Sequence, residues 1–474
     1  MLTRLKVHGF RNLRDIDVRF GPFTCIAGAN GIGKSNVFDA IQFLSYLATE
    51  SLVEASQQVR GASGIRGGDP RDLFWDGYRS KNRQIDMSVE MLVPAVFDDD
   101  LGASTAATTT FLTYDLKLGY EAPESKAGVG RLTLLAEKLQ HITRGDAKSH
   151  LLFGHSKKFR DSVVRGERRA GAFLSTEVRE NGVVINVHGD GGSRGRPQPR
   201  AASRAGRTVL SSITTNDSPT ILAAKREMQS WRRLALEPTA LRAPDSFADP
   251  RSLGADGRHV ASTLFRIAHE DSGSAGPDGS TAVYGRVARR LAELTGVGVD
   301  SVNVEADPVR EVFTLFLQER GGIRLPARAL SEGTLRFLAL CVLLEDPTST
   351  GLICMEEPEN GIHPANLPAI VGLVHDLAVD PTEDPGDGNP LRQVIVNTHS
   401  PGVVQLVGLP DLLVADVKRV RMDDGSVIRA LSLLPSVDSW RTAGVADSFT
   451  RADILAYLTA PPGAQLQLPL DLSA

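Results

Sequence analysis

The chain has 474 residues, 41% of them hydrophobic and 23% charged, which excludes a disordered, collagen-like or disulfide-stapled protein. Its 53 basic and 57 acidic residues leave a net charge of −4, so any nucleic-acid contact has to be local. At ~150 residues per domain the length predicts about three units, or two with an elaborate insertion.

Met1–His8 alternates apolar and basic residues and lacks the apolar core of a secretion signal. No run reaches the ~18 apolar residues of a membrane span. Cys25, Cys341 and Cys354 each sit in an apolar stretch and read as buried thiols of a reducing compartment. The expectation is a cytoplasmic protein with no membrane contact. Ile16, Val18 and Phe20 alternate with Asp17 and Arg19, the period of a half-buried strand. Phe23–Ala27 is a second strand, leading into Gly28-Ala-Asn-Gly-Ile-Gly-Lys-Ser35. Val37, Ala40, Ile41, Leu44 and Leu47 then recur at helical spacing.

Gly61–Asp76 reads as loop, Ile85–Val93 and Phe111–Leu118 as strands, and Asp98–Thr110 as polar and without pattern. Leu132–Ile142 and Thr220–Leu236 read as helices and Val183–Val187 as a strand. Gly189–Arg207, almost wholly Gly, Ser, Ala, Pro and Arg, reads as a mobile loop. Thr281–Leu294 reads as an amphipathic helix, Val312–Leu317 as a strand and Leu330–Glu345 as a buried helix. Gly351–Met355 and Gln393–Asn397 are short apolar strands, separated by a predicted helix over Pro364–Val379 and an acidic loop over Thr382–Pro390. Leu412–Val417 and Val427–Leu431 flank Asp423-Asp-Gly, a hairpin signal. From Pro461 the tail is expected to fray.

Three constellations carry chemistry. Gly28-x4-Gly33-Lys34-Ser35 is a complete phosphate-binding loop in its strand–loop–helix context. Its glycines let backbone N–H groups face phosphates, the helix adds a partial positive charge, Lys34 a point charge, and Ser35 a hydroxyl for Mg²⁺. Second, a buried strand ends in Glu356-Glu357, one carboxylate to hold Mg²⁺ and one to activate water. Third, His399 ends another buried strand, in Asn397-Thr-His-Ser-Pro401, where parallel α/β sheets build their sites. Ser331 by itself reads as a helix N-cap.

Together these elements resemble the ABC-type ATPases of the SMC/RecF/OLD group, across roughly the first 60 residues and 310–405. Gly28–Ser35, followed by Asn36, resembles the Walker A loop. Leu330-Ser-Glu-Gly-Thr-Leu335 resembles the signature motif. Leu352–Glu357 resembles Walker B, with Glu356 where Asp is commoner, and places Glu357 at the catalytic glutamate. Glu359–Pro364 resembles the D-loop region, and Asn397–Pro401 the switch-histidine motif. Phe10-Arg11-Asn12 resembles the strand whose Arg11 reaches the nucleotide in relatives. The resemblance implies an α/β fold, an ABC-type head with a mixed sheet, a mainly helical second lobe and a basic insertion. It implies ATP and Mg²⁺, with Gly28, Asn30, Gly31, Gly33, Lys34, Ser35 and Asn36 around the phosphates and Ser35 and Glu356 at the metal. It also implies a homodimer, or a higher assembly of dimers, in which Ser331 and Gly333 complete the partner's site. Gln84 is the candidate offered for the glutamine loop.

The expected divisions are 1–118 for the N-terminal half of the head, 119–310 for the insertion and helical lobe, 311–434 for the C-terminal half, and 435–474 for the tail. The interval between the halves has no sustained heptads, which argues against an SMC coiled coil. The 75 residues after His399 lack an Asp-x-Asp pair, which argues against an OLD-type TOPRIM domain. Asp98-Asp-Asp100 and Glu124-Ser-Lys126 have no supporting catalytic constellation and read as surface charge, and the cysteines form no zinc cluster. An effector acting in trans, a nuclease subunit in antiviral defence, is therefore one expectation. A RecF-like repair ATPase and an ATP-dependent scaffold are the others. Residues 151–207 carry twelve basic and five acidic residues, a local balance of +7. This reads either as a nucleic-acid patch or as a solvated Arg-rich loop.

Overall fold

A computed structural model describes residues 1–59, 69–75, 83–123, 130–166, 171–190, 196–269, 277–296, 298–421, 425, 427–442 and 448–459. The chain divides into two compact units.

The first unit comprises Met1–Arg232, Asp380–Pro385 and Gly408–Ala474. Its larger sheet has eight antiparallel strands, in the order Gln198–Ala201, Gly182–Val187, Leu174–Arg179, Arg131–His141, Phe111–Glu121, Gln84–Leu92, Leu2–Phe10 and Leu13–Arg19. Leu2–Phe10 shows the reason in its pattern: Leu5 and Val7 are buried while Lys6 and His8 face out. A second group is built on Phe23–Ala27, buried at every residue, as befits a strand covered on both faces. It pairs in parallel with Leu412–Arg421, which pairs antiparallel with Val427–Pro435. This is the expected hairpin; the Asp423-Asp pair at its turn lies outside the described residues. The Ser35–Leu47 helix follows the Gly28–Ser35 loop and buries Val37, Phe38, Ala40, Ile41, Phe43, Leu44 and Leu47.

The second unit comprises Arg233–Val379 and Gly386–Val407. Gly351–Glu356 pairs in parallel with Arg392–Thr398, in a register that sets Glu356 opposite Asn397. Parallel strands need a crossover, and the connection contains the Leu367–Asp376 helix, entered through a tight turn at Pro364–Asn366. The Val260–His269, Pro277–Thr295 and Glu332–Glu345 helices belong here. So does a small antiparallel sheet of Asp245–Ser246, Val312–Glu319, Val299–Asp307 and Arg324–Pro326.

Three expectations are corrected. Leu132–Ile142 is not a helix but the strand Arg131–His141. Pairing with Phe111–Glu121 slips at Lys117/Leu118 and leaves Leu135 as a bulge. The buried positions become Leu132, Leu134, Glu137 and Leu139, and the three-residue step mimics a helical period. The helix expected over Thr220–Leu236 is Pro219–Gln229, and Arg232–Leu234 is a strand too short to show a period. Within Gly189–Arg207, Gln198–Ala201 is an exposed strand held by backbone pairing to Gly182–Val187. Pro199 sits in it, as an edge position permits. Elsewhere Asp98–Thr110 supplies one strand, Ser104–Ala106, and the end of the other, Val96–Asp98, of a two-stranded ribbon. Residues 60–68, Asp76, Glu124–Lys126 and the tail from 460 lie outside the described residues.

Candidate functional site

In the first unit the Gly28–Ser35 loop leaves the Phe23–Ala27 strand at its C-terminal end. A side chain at Gly28 would meet the Ala415 carbonyl oxygen at 2.9 Å, so the loop is pressed against the neighbouring strand. Gly31 and Gly33 have φ of 78° and 97°, which glycine alone adopts without strain. Lys34 is buried and its Nζ donates to the Gly28 and Ala29 carbonyls, at 2.6 and 2.9 Å. The ammonium thus lies over the loop it belongs to. Ser35 opens the helix, whose first turn carries no acidic residue to cancel its partial positive charge. Asn30 and Gly31 are exposed at the loop's tip, and Asn36 donates its backbone N–H to the Gly33 carbonyl. Arg11, with φ of 49°, donates from its guanidinium to Asp39 Oδ2 at 2.8 Å. Asp39 is one turn into the helix and only 1% exposed.

In the second unit the paired strands bring Glu356, Glu357 and His399 to one end. Glu357 has φ of 45°, a conformation that costs a non-glycine residue on the order of 1–3 kcal/mol. Its N–H bonds the Asn397 carbonyl and side-chain oxygens, which helps hold that conformation. Its carboxylate is gripped at both oxygens: Oε1 lies 2.6 Å from His399 Nδ1, and Oε2 accepts from Asn360 Nδ2 at 2.7 Å. Glu356 Oε2 pairs with Arg233 at 3.1 Å, while Oε1 is buried without a hydrogen-bond partner. A buried carboxylate oxygen of this kind suits a hard cation such as Mg²⁺. Glu359 accepts the Thr398 hydroxyl proton, and Thr398 Oγ1 accepts from Ser400 N at 2.9 Å. Burial pushes the Glu359 carboxyl above its ordinary range.

Ser331 Oγ accepts from Thr334 N at 3.2 Å and caps the Glu332–Glu345 helix. Gly333 faces Gly361: a side chain at either would meet the other turn, at 3.7 Å from the Gly361 carbonyl and 3.1 Å from Glu332 Oε1.

Residues 4–147 match a family described as "AAA domain", and residues 201–405 one described as "AAA domain, putative AbiEii toxin, Type IV TA system". The chain is 33% identical over 94 residues to the DNA replication and repair protein RecF of Phocaeicola vulgatus, covering 18% of this chain and 25% of that one. It is 50% identical over 44 residues to an OLD nuclease of Thermus scotoductus, covering 9% and 8%. The matches on both parts of the chain point to the ABC-type ATPases of the SMC/RecF/OLD group. It spans about a quarter of the length of the RecF protein and under a tenth of the OLD nuclease. Solved structures similar to this chain include an SMC head bound to the C-terminal winged-helix domain of ScpA, with a TM-score of 0.44 and 14% identity over 92% of this chain and 98% of that one. The SMC head of Thermotoga maritima gives a TM-score of 0.34 and 12% identity over 92% and 98%.

Within each unit, neighbours appear to which the motifs assigned no role. Asn12 touches the phosphate loop, Asp39 holds Arg11, and Asn360 holds Glu357. Asn12 and Asn360 lie inside the quoted Phe10-Arg11-Asn12 and Glu359–Pro364 motifs, whereas Asp39 had no signal. Gln84 is exposed and donates to Asp86 at 2.6 Å. The Asp98–Asp100 run serves structure: Asp99 accepts from Leu101 and Ala103 N–H, and Asp100 pairs with Arg226 at 2.6 Å. All three cysteines are free and buried, and burial pushes the Cys341 thiol up to about 12. Asp245, Asp249 and His259 bring ligand atoms within 4.8 Å of one another. Asp245, however, already accepts His259 and Ser262 N–H groups and anchors the start of the Val260–His269 helix. Among the described residues of 151–207, Arg196 and Arg204 are exposed beside the edge strand and Arg200 within it, whereas Arg179 is paired with Glu177. Among the described residues, no helix is long and apolar enough to cross a membrane.

Proposed function

We propose that this chain hydrolyses ATP with Mg²⁺ and works as a switch, in a dimer whose two sites each take a phosphate loop from one protomer and a signature turn from the other. The observation that carries the reading is the grip on Glu357: a strained backbone and two hydrogen-bonded carboxylate oxygens point one base at the end of the paired strands. Lys34 leaves the loop carbonyls for the β- and γ-phosphates, and loop N–H groups cradle them. Ser35 and Glu356 would hold Mg²⁺, which would supply positive charge to neutralise the phosphates. Glu357 takes the proton of the attacking water, and His399 holds the carboxylate and senses the γ-phosphate. Ser331 and Gly333 close the partner's site, and Asn30, Asn36 and Arg11 border the nucleotide. Phosphate release in the wild type, lost in Lys34→Ala and Glu357→Gln, tests the reading; a chain that binds ATP without turnover is a scaffold instead.

We infer further that the switch governs an effector in trans, a nuclease subunit in antiviral defence. The stretch shared with an OLD nuclease and the toxin–antitoxin description of the 201–405 match support it. The RecF match supports a second reading, an ATP-controlled DNA-binding protein of repair, with the arginines beside the Gln198–Ala201 edge as the backbone contact. A pull-down of the Glu357→Gln chain with ATP separates them: a stoichiometric nuclease-like subunit supports the first, DNA alone the second.

A further inference from the structure

Arg11 and Asn12 form the two-residue turn between Leu2–Phe10 and Leu13–Arg19, where Phe10 pairs with Leu13. Such turns favour Asn because it tolerates the left-handed conformation. Here Arg11 occupies that conformation and Asn12 does not. The turn's backbone therefore gives no reason for Asn at 12, and its side chain does. Asn12 Nδ2 donates to the Ile32 carbonyl at 3.0 Å, inside the phosphate loop. Its Oδ1 accepts from Asn36 Nδ2 at 2.5 Å, just past the loop. Its backbone carbonyl accepts from Leu431 N at 2.9 Å, tying the turn to the Val427–Pro435 strand. A side chain at Gly33 would fall on the Asn12 amide, so loop and amide are in close contact.

We propose that Asn12 is a positioning residue for nucleotide binding: by holding the Ile32 carbonyl it fixes the direction of the Gly33 N–H. A trans peptide is planar, with its C=O and N–H pointing opposite ways. Drawing the Ile32 oxygen toward Asn12 turns the Gly33 N–H away from it, to the side open for an anion. The bond from Asn36 keeps the Asn12 amide in the orientation that donates to Ile32. The loop is thus set before nucleotide arrives, and less ordering is left for binding to supply. The inference rests on the ATP-binding reading above.

The test is ATP affinity and thermal melting of the wild type, Asn12→Asp and Asn12→Ala. Asp has the size of Asn and keeps an acceptor for Asn36, but it cannot donate to Ile32. The Leu431 bond uses Asn12's backbone and survives in both variants. The expected result is ATP binding weakened about 10-fold in each variant, with melting within a few degrees of wild type. Hydrogen exchange supplies the second readout: ATP slows exchange of residues 28–36 in the wild type and fails to do so at the same concentration in Asn12→Asp. Affinity within twofold of wild type in Asn12→Asp overturns the inference while leaving the ATPase reading intact. A wild type that binds no ATP overturns that reading, and the inference with it.

Discussion

Glu357 and His399 meet carboxylate to imidazole, 2.6 Å apart, across the ends of two paired strands. With Asn360 on the other oxygen, the carboxylate has little freedom to turn. Glu357→Gln keeps the shape and removes the base. It is expected to bind ATP normally and to lose about 10²–10³-fold in turnover. Asn360→Ala frees one oxygen and is expected to cost a few-fold in kcat with KM unchanged. Single-turnover phosphate release with parallel ATP titrations measures both; rapid hydrolysis by Glu357→Gln removes Glu357 from its role.

Gly33 and Gly31 separate strain from crowding. Both have positive φ, but a side chain at Gly31 meets nothing within 4 Å, whereas at Gly33 it strikes Asn12. Gly31→Ala carries only the left-handed cost of about 1–2 kcal/mol. Gly33→Ala adds the clash and is expected to abolish nucleotide binding at concentrations that saturate Gly31→Ala. Equal affinities in the two variants contradict the contact.

Arg11 and Asp39 form a nearly buried ion pair, at 15% and 1% side-chain exposure. Arg11→Ala takes the cation from a buried carboxylate and is expected to cost ~3 kcal/mol in chemical denaturation. Asp39→Asn in that background should recover part of the loss. A single variant as stable as wild type contradicts the pairing.

Glu137 supplies a pH test far from the strand ends. It is fully buried and accepts from Val209 N, Leu210 N and the Tyr114 hydroxyl. Burial outweighs those bonds and holds its carboxyl above the ordinary 4.5. The folded chain therefore keeps this proton to higher pH than the unfolded chain. The Glu137 contribution to stability falls as pH rises from 4.5 through the raised value. Glu137→Gln is expected to melt lower overall, but to lose less than wild type over that window. Parallel curves of Tm against pH in the two proteins count against it.

Much of the site was legible because its signals are local. The glycine spacing of 28–35, the apolar runs before Glu356 and Asn397, and the cap at Ser331 each express a short-range preference, and each lies on the element expected of it. What escaped depends on pairing between distant residues. The bulge at Leu135 exists only against Phe111–Glu121, and without that partner its spacing reads as helical. Gln198–Ala201 has almost no strand propensity and is held by the backbone of Gly182–Val187. Asn12 acquires its role from Ile32 and Asn36, 20 and 24 residues away, through a hairpin turn whose side chain could have faced water.

The measurement that tests the central claim most directly mixes two inactive chains. Lys34→Ala disables a phosphate loop, and Ser331→Arg blocks a signature turn. In a mixed dimer one site combines both lesions and the other has neither. Random mixing is expected to restore roughly a quarter of wild-type ATP turnover, since half the dimers are mixed and each has one intact site of two. A mixture no more active than its separate parts contradicts a site shared between protomers.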